Sequence, residues 1–559
     1  MAEPAARLGG RRFDVAVVGA GHNGLVAAAY LARAGLRTAV IERREIVGGA
    51  CTTEEFAPGF RASPGAYVLS LLRPAVWRDF ALRARGLEVL EAAPTLNVFR
   101  DGARLTLHDD DRETGRELAR FDRADAEAYP RFRAELVEIA DLLGPWFDRP
   151  PPGAPGWLGR DSLRAIGSSL GAARRHGLAA AKLFATSARD HLEQRFCSER
   201  VGAALGWDAI SNTLAGPSTP GTAYSLLHEH AAASLGGSSW GFVRGGMGIV
   251  TALLADAATE AGAVIVTGAP VERILVEGGR AQGLQLADGT ELAAATVVSN
   301  ADPKRTLLEL VGRERLDPTT AEAIEAYRCE GASLKINLAL GELPRIEGTP
   351  AGLQPHHRGL VQLTLPLAGM DADQEGARHG IPAPAPHVEL CVPSALDPSL
   401  APPGRHVATL GFRSQPYRLA ESDWDRERER VADRLLAEVA TMIPNLPGAV
   451  IARQVLTPLD LERTLALTGG HHLHGDMSPD QLGPLRPAIG LGGYRTRIGG
   501  LYLCGAGTHP GGGVTGANGR NCSRRVLADL RRRRQSGRPG ALHGKRYRRS
   551  ISGKEHVGE

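Results

Sequence analysis

The sequence predicts an α/β fold with more than one substructure, and three observations carry that expectation. A strand, a glycine-rich turn and a helix follow one another at residues 13–35, and a second strand closes the unit at residue 41. Another strand-to-glycine-turn-to-helix unit lies near the C-terminus, at residues 501–530. The 559 residues between and around these units exceed what one hydrophobic core can organise.

Phe13-Asp14-Val15-Ala16-Val17-Val18 is a short apolar, β-branched run, and Gly19-Ala20-Gly21-His22-Asn23-Gly24 follows at once. Residues 25–34 are strong helix formers stopped by Gly35. In such a unit Gly19 makes the tight turn, Gly21 lets the backbone approach a pyrophosphate, and Gly24 lets helix and strand pack closely. The anion then sits on the helix N-terminus, where unpaired N–H groups and the dipole favour negative charge. The second strand, residues 37–41, ends in Glu42, placed to accept hydrogen bonds from an adenosine ribose and unfavourable to a 2′-phosphate. Gly48 and Gly49 would let the chain run along an extended dinucleotide, or form an ordinary turn.

Amphipathic patterns mark helices within 115–145 and 160–196, separated by the loop Arg149-Pro150-Pro151-Pro152-Gly153. After Trp240–Gly248 comes a helix at 249–261, a strand at 264–266, a hairpin at 271–276 and 281–286 with Gly-Gly and Asp-Gly turns, and a return strand at 296–298. Residues 334–340, 387–392 and 406–412 read as strands. Leu501–Cys504 is the last strand; Gly505–Ala517 is a glycine-rich turn, and a helix runs to about Leu530.

Composition excludes several classes. Eleven Arg or Lys against one acid between residues 524 and 549 carry the net +4, so the basic character is a C-terminal appendage and nucleic acid is not an expected partner. Six cysteines without a C-x-x-C pair argue against a disulfide framework, a zinc site or a dithiol centre. No secretory signal precedes the first strand and no apolar run spans a bilayer, which points to the cytoplasm. Arg164, Arg174, Arg175 and Arg189 beside apolar stripes leave peripheral membrane contact open. His471, His472, His474 and Asp476 are too crowded to converge on a metal, and His228-Glu229-His230 lacks the helical spacing of a zinc pair, so no metal is expected.

With these elements in place, the chain resembles the FAD-dependent amine oxidase and phytoene desaturase superfamily from residue 14 to about 534. Residues 469–482, Gly-Gly-His-His-Leu-His-Gly-Asp-Met-Ser-Pro-Asp-Gln-Leu, and 505–521 resemble most the branch of pyridine nucleotide-disulfide oxidoreductase domain-containing protein 2. The resemblance implies an α/β fold: a discontinuous Rossmann-like FAD-binding domain (12–75, 225–302, 490–534) and an inserted mixed sheet-plus-helix substrate domain (76–224, 303–489); beyond it, composition predicts a basic, disordered tail (535–559). It implies that Gly19, Gly21 and Gly24, with Ala20 and Asn23 between them, cradle the pyrophosphate. Glu42, with Arg43 beside it, would hold the ribose, Gly48 and Gly49 line the cofactor, and Val271 meet the adenine. Gly505, Gly513 and Val514 would face the flavin.

Flavin carries the hydride chemistry in such proteins, so a dedicated acid or base is not required. The catalytic candidates are His474 and His509; Asp476, Arg61, Ser63 and Tyr67 are further candidates for the flavin face. The expected activity is dehydrogenation of a hydrophobic, isoprenoid- or lipid-like molecule in a largely apolar cavity, with oxygen or a quinone as diffusing acceptor. A flavin amine oxidase and a flavoprotein acting mainly through a partner protein are the alternatives. Neither a second dinucleotide unit nor a dithiol supports the disulfide chemistry in the branch's name. The resemblance implies the mitochondrial matrix if the source is eukaryotic.

Overall fold

The computed structural model describes residues 8, 11–153, 174–211, 213–227, 241–331 and 333–535. The expectations for His228–His230, Trp240, Arg164 and its neighbours, and the tail beyond 535 fall outside these residues.

Two seven-stranded sheets organise the chain. In the first, Phe13–Val18 pairs in parallel with Thr38–Ile41 on one side and Glu291–Ser299 on the other. Val264–Val266 extends one edge and Leu501–Leu503 pairs with Glu291–Ser299. All six residues of Phe13–Val18 are buried, as expected for a parallel strand covered on both faces. Val15 and Val17 pack with Leu25, Val250 and Val526, from the helices His22–Arg33, Gly248–Glu260 and Ala517–Gln535. Ala16 and Val18 pack on the opposite side with Ile274, Leu284 and Leu307.

The expected hairpin is present at Val271–Glu277 and Arg280–Leu286. Its return, however, is one nine-residue strand: Glu291–Ser299 pairs antiparallel with the hairpin at Gly283↔Ala293, then continues in parallel beside the first strand. The side layer and the main sheet therefore share a backbone, which fixes their relative position.

The second sheet runs Val450–Leu456, Ser333–Leu340, His406–Arg413, Val388–Cys391, Gly359–Thr364, Ala93–Phe99 and Arg104–Leu107. The three strands expected from alternation are its centre. Register divides its faces sharply. Val361, Leu390, Leu410 and Ile336 stand side by side and bury against Trp424, Val431 and Leu435 of the helix Trp424–Ala440. One residue along, Asn97, Gln362, Glu389, Gly411 and Lys335 form a row on the other face. A largely polar face is thus turned away from the helix, which the alternation alone could not assign.

The pattern over 115–145 resolves into two helices, Asp111–Leu118 and Arg123–Phe147, because Asp110 and Asp122 each accept backbone N–H groups at a new N-terminus. With residues 174–185, Ala188–Glu193 and Glu199–Gly206 they bury a core of Leu136, Ile139, Leu183, Leu192 and Trp207 beneath the sheet edge. Among the described residues no helix is long and apolar enough to cross a membrane.

Trp424 is 1 % exposed and its indole N–H donates to the Pro416 carbonyl at 2.9 Å. Trp424→Ala is expected to cost about 3–5 kcal/mol and to lower the urea midpoint of the transition that includes the second sheet.

Candidate functional site

Each part of the nucleotide unit follows from local sterics. Gly19 has φ +87°, and the backbone turns there from the strand into the helix His22–Arg33, which no side chain caps and whose first turn holds no acid. Its leading N–H groups are therefore left for an anion. A Cβ at Gly24 would stand 2.2 Å from the Gly19 carbonyl oxygen, and one at Gly21 would stand 2.6 Å from Asn300 Nδ2. These positions need glycine because the strand, helix and Asn300 leave no volume for a methyl group.

Glu42 is buried and held at both oxygens: Oε2 accepts from Ala20 N at 2.7 Å and Oε1 from Arg44 N at 2.9 Å. The carboxylate is fixed at the end of the second strand, with further lone pairs for ribose hydroxyls. Arg43 is tied to the Arg463 and Thr464 carbonyls and so joins the nucleotide sheet to the helix Pro458–Leu465.

One cavity of about 410 Å³ runs from this cradle to the polar face of the second sheet. Of the residues expected to bind the cofactor, Gly19, Gly21, Asn23, Glu42, Arg43, Gly49, Val271, Gly513 and Val514 line it. Ala20, Gly24, Gly48 and Gly505 stand behind the wall and shape it; a Cβ at Gly48 would meet Thr251 Oγ1 at 2.7 Å, and one at Gly505 the Asn300 carbonyl oxygen at 2.7 Å. His474 lines the cavity in the left-handed region, φ +56°. His509 does not: its Nε2 lies 2.9 Å from the Trp146 carbonyl oxygen, which makes it a tie to the helical layer.

Tyr67 lines the cavity, whereas Asp476 is engaged by His471 and Arg328, Arg61 is exposed, and Ser63 contributes its carbonyl to Lys335 at 2.7 Å. Residues that sequence reasoning missed complete the site: Asn300 and Arg305 near the cradle, and Lys335, Glu389 and Arg413 on the sheet. A charged residue inside an apolar strand was the available signal for the last three.

The loops at the far end are held by two donors. Arg486, fully buried, donates to the carbonyls of Ala506, Asp476, Gln481, Leu473 and Gly475 at 2.7–3.2 Å. Asn518 Nδ2 reaches the carbonyls of Gly505, Thr508, His509 and Gly511.

Burial sets the protonation of the wall. His22 is pushed down to about 4, chiefly by desolvation and then by His474, so it is neutral at pH 7. Burial also pushes His474 down and the Cys51 thiol up to about 12. Cys51 is therefore an inert thiol beside the cradle. All six cysteines are unpaired. The ligand atoms of Asp122, Asp125 and Cys197 come together outside the cavity, but both carboxylates already accept backbone N–H groups.

An uncapped helix start, a glycine wall without room for Cβ atoms and a fixed carboxylate at the adjacent strand end fit an extended adenine dinucleotide. Comparison with known proteins agrees. The family model for flavin containing amine oxidoreductase matches residues 24–527. Pyridine nucleotide-disulfide oxidoreductase domain-containing protein 2 of Mus musculus is 39% identical over 551 residues, covering 93% of this chain and 94% of its own. A limonene dehydrogenase subunit of Castellaniella defragrans is 28% identical, covering 93% and 95%. An oxidoreductase from Methanosarcina mazei shares the fold with a TM-score of 0.59 at 18% identity, covering 92% and 99%.

Gly24→Ala must part helix from strand, and is expected to reduce flavin retained on purification at least about ten-fold, read as the ratio of visible to 280 nm absorbance. For His22, the folded pKa lies below the unfolded value of 6.5. The unfolded chain therefore takes up the proton first as pH falls, and stability is lost between about 6.5 and 4. Melting temperature should drop over that interval, and His22→Gln should make the drop shallower.

Proposed function

The chain belongs to the flavin-containing amine oxidoreductase family and is an FAD-dependent oxidoreductase, and on that premise we propose that it dehydrogenates a hydrophobic, isoprenoid- or lipid-like molecule. The observation that carries this reading is the continuity of the cavity, which leaves the dinucleotide cradle, passes Gly513 and Val514, and reaches Val68, Leu71, Leu334, Leu473 and Trp207. An apolar molecule seated there would meet carbon from these side chains and, on its other side, the polar face of the second sheet. The full-length similarity to a limonene dehydrogenase subunit supports an isoprenoid in particular.

When bound, FAD would supply the acceptor for a hydride from carbon, the second hydrogen leaving the substrate as a proton, and a diffusing acceptor such as oxygen or a quinone would take up the two electrons. This chain's residues bind, orient and exclude water. The first helix and its glycines would hold the pyrophosphate, Glu42 the adenosine ribose, and the turn at Gly513 the far end. Lys335 is fixed by the carbonyls of Ser63 and Gly65 at 2.7 and 2.8 Å and lies 5.1 Å from the centre of the Tyr67 ring. Burial lowers it to about 8, so at pH 7 it is mainly an ammonium that donates rather than a base. His474 and His22, neutral and desolvated, would leave the cavity's charge unchanged at that pH.

The test is the visible spectrum of the purified protein, before and after anaerobic addition of limonene, phytoene and other hydrophobic candidates. Flavin bands are expected, and they should bleach with at least one candidate and return with oxygen or a soluble quinone. A colourless protein that cannot be reconstituted with FAD would overturn the reading.

A further inference from the structure

The polar face of the second sheet meets the cavity, and two of its residues have hydrogen-bonding capacity that the protein leaves unused. Glu389 is 3 % exposed. Its Oε2 accepts from Tyr67 Oη at 3.1 Å and from Arg413, whereas Oε1 is buried without a partner. Arg413 binds Glu389 through Nη2 and Ser333 Oγ through Nη1 at 3.4 Å, whereas its Nε is buried without a partner. An acceptor and a donor thus lie unsatisfied on two residues that form one ion pair and line one cavity. Leaving such groups unpaired in the interior costs free energy that a suitable ligand would recover.

A separate observation points the same way. Gly411 stands in register between Glu389 and Lys335 in the middle of a central strand, and it lines the cavity. Glycine weakens a strand interior, and its use there is close approach of something to the backbone. A Cβ at this position would come within 3.3 Å of Glu389 Oε2. The gap therefore lies beside the carboxylate whose other oxygen is unused.

We infer that Glu389 and Arg413 seat a hydroxyl group, so that the substrate is an apolar molecule carrying an alcohol rather than a pure hydrocarbon. This rests on the functional reading above and narrows it. A hydroxyl donates one hydrogen bond and accepts others, so it answers Glu389 Oε1 and Arg413 Nε together. An ammonium cannot accept from Arg413, and a carboxylate cannot donate to Glu389. The two residues neutralise each other, so as a couple they call for no net charge on the ligand. The lysine beside them already spends donors on the Ser63 and Gly65 carbonyls.

The probes are octan-1-ol, octane, octanoate and octylamine, titrated into the flavin-loaded protein with heat as the readout. Octan-1-ol is expected to bind at least about ten-fold tighter than octane, the worth of a satisfied buried pair. In the double variant Glu389→Leu/Arg413→Met, which replaces the ion pair by apolar groups of similar size, the two should bind within about two-fold of each other. Retained flavin and an unchanged melting temperature would establish that this variant is folded. Gly411→Val, which fills the gap and brings a Cβ within 3.3 Å of Glu389 Oε2 while keeping both charges, should weaken octan-1-ol by a similar factor if the double variant does not fold. Equal binding of octane and octan-1-ol by the unmodified protein, or tighter binding of octanoate or octylamine, overturns the inference. A protein that prefers octan-1-ol but whose flavin no candidate bleaches overturns the functional reading alone.

Discussion

Five backbone carbonyls from two irregular loops converge on the guanidinium of Arg486, and the far wall of the cavity depends on that contact. The loop at 505–513 is rich in glycine, and most of 473–481 likewise lies outside helix and strand. Their carbonyls cannot pair with a ladder, and burying them unpaired would be costly. Arg486 supplies donors in a rigid planar fork, and Asn518, in the first turn of the last helix, supplies more to residues 505–511. Satisfying these groups from two side chains leaves the loop backbones free to approach a large ligand closely.

The second sheet solves the complementary problem. One face must bury against the helix Trp424–Ala440, and the residues there are uniformly apolar. The other face closes a cavity, and it combines a row of polar side chains with a glycine gap. Some of its polar groups satisfy one another: Thr409 donates to Asn337 at 2.9 Å, Asn337 to Gln454 at 2.9 Å, and His387 Nε2 lies 2.6 Å from Gln362 Oε1. Glu389 and Arg413, which line the cavity, keep an unpartnered Oε1 and Nε, as Gln362 Nε2 and His387 Nδ1 do farther along the same face. The largely apolar pocket expected from the sequence is half of the answer: leucines and valines line the approach, and the sheet is polar.

Much of the first unit was legible before folding. Gly19, Gly21, Gly24 and Glu42 fall within 24 residues of one another, so local geometry brings them together, and the structure places Gly19, Gly21 and Glu42 on the cavity wall and Gly24 directly behind it. His509 illustrates the limit. It sits next to a glycine turn that lines the cavity, yet its ring is drawn to Trp146, 363 positions away in sequence, and nothing local announces that partner. Arg305 and Asn300 were illegible for a similar reason, since they follow an unremarkable strand and matter only because that strand lies beside the first.

What the sequence determined by itself was the first strand–glycine turn–helix unit, the hairpin layer, three central strands of the second sheet and the last strand and helix, because period, turn chemistry and glycine sterics act over neighbours in the chain; the strands Ala93–Phe99, Arg104–Leu107, Gly359–Thr364 and Val450–Leu456 and the helix Trp424–Ala440 were not among its expectations. What only the tertiary structure decided was which face of the strands at 333–340, 388–391 and 406–413 meets the cavity. A strand's alternation is the same whichever side is covered, and the choice was made by where the helix Trp424–Ala440 could bury its apolar stripe. That packing turned Lys335, Glu389 and Arg413 from isolated charges in three strands into one wall.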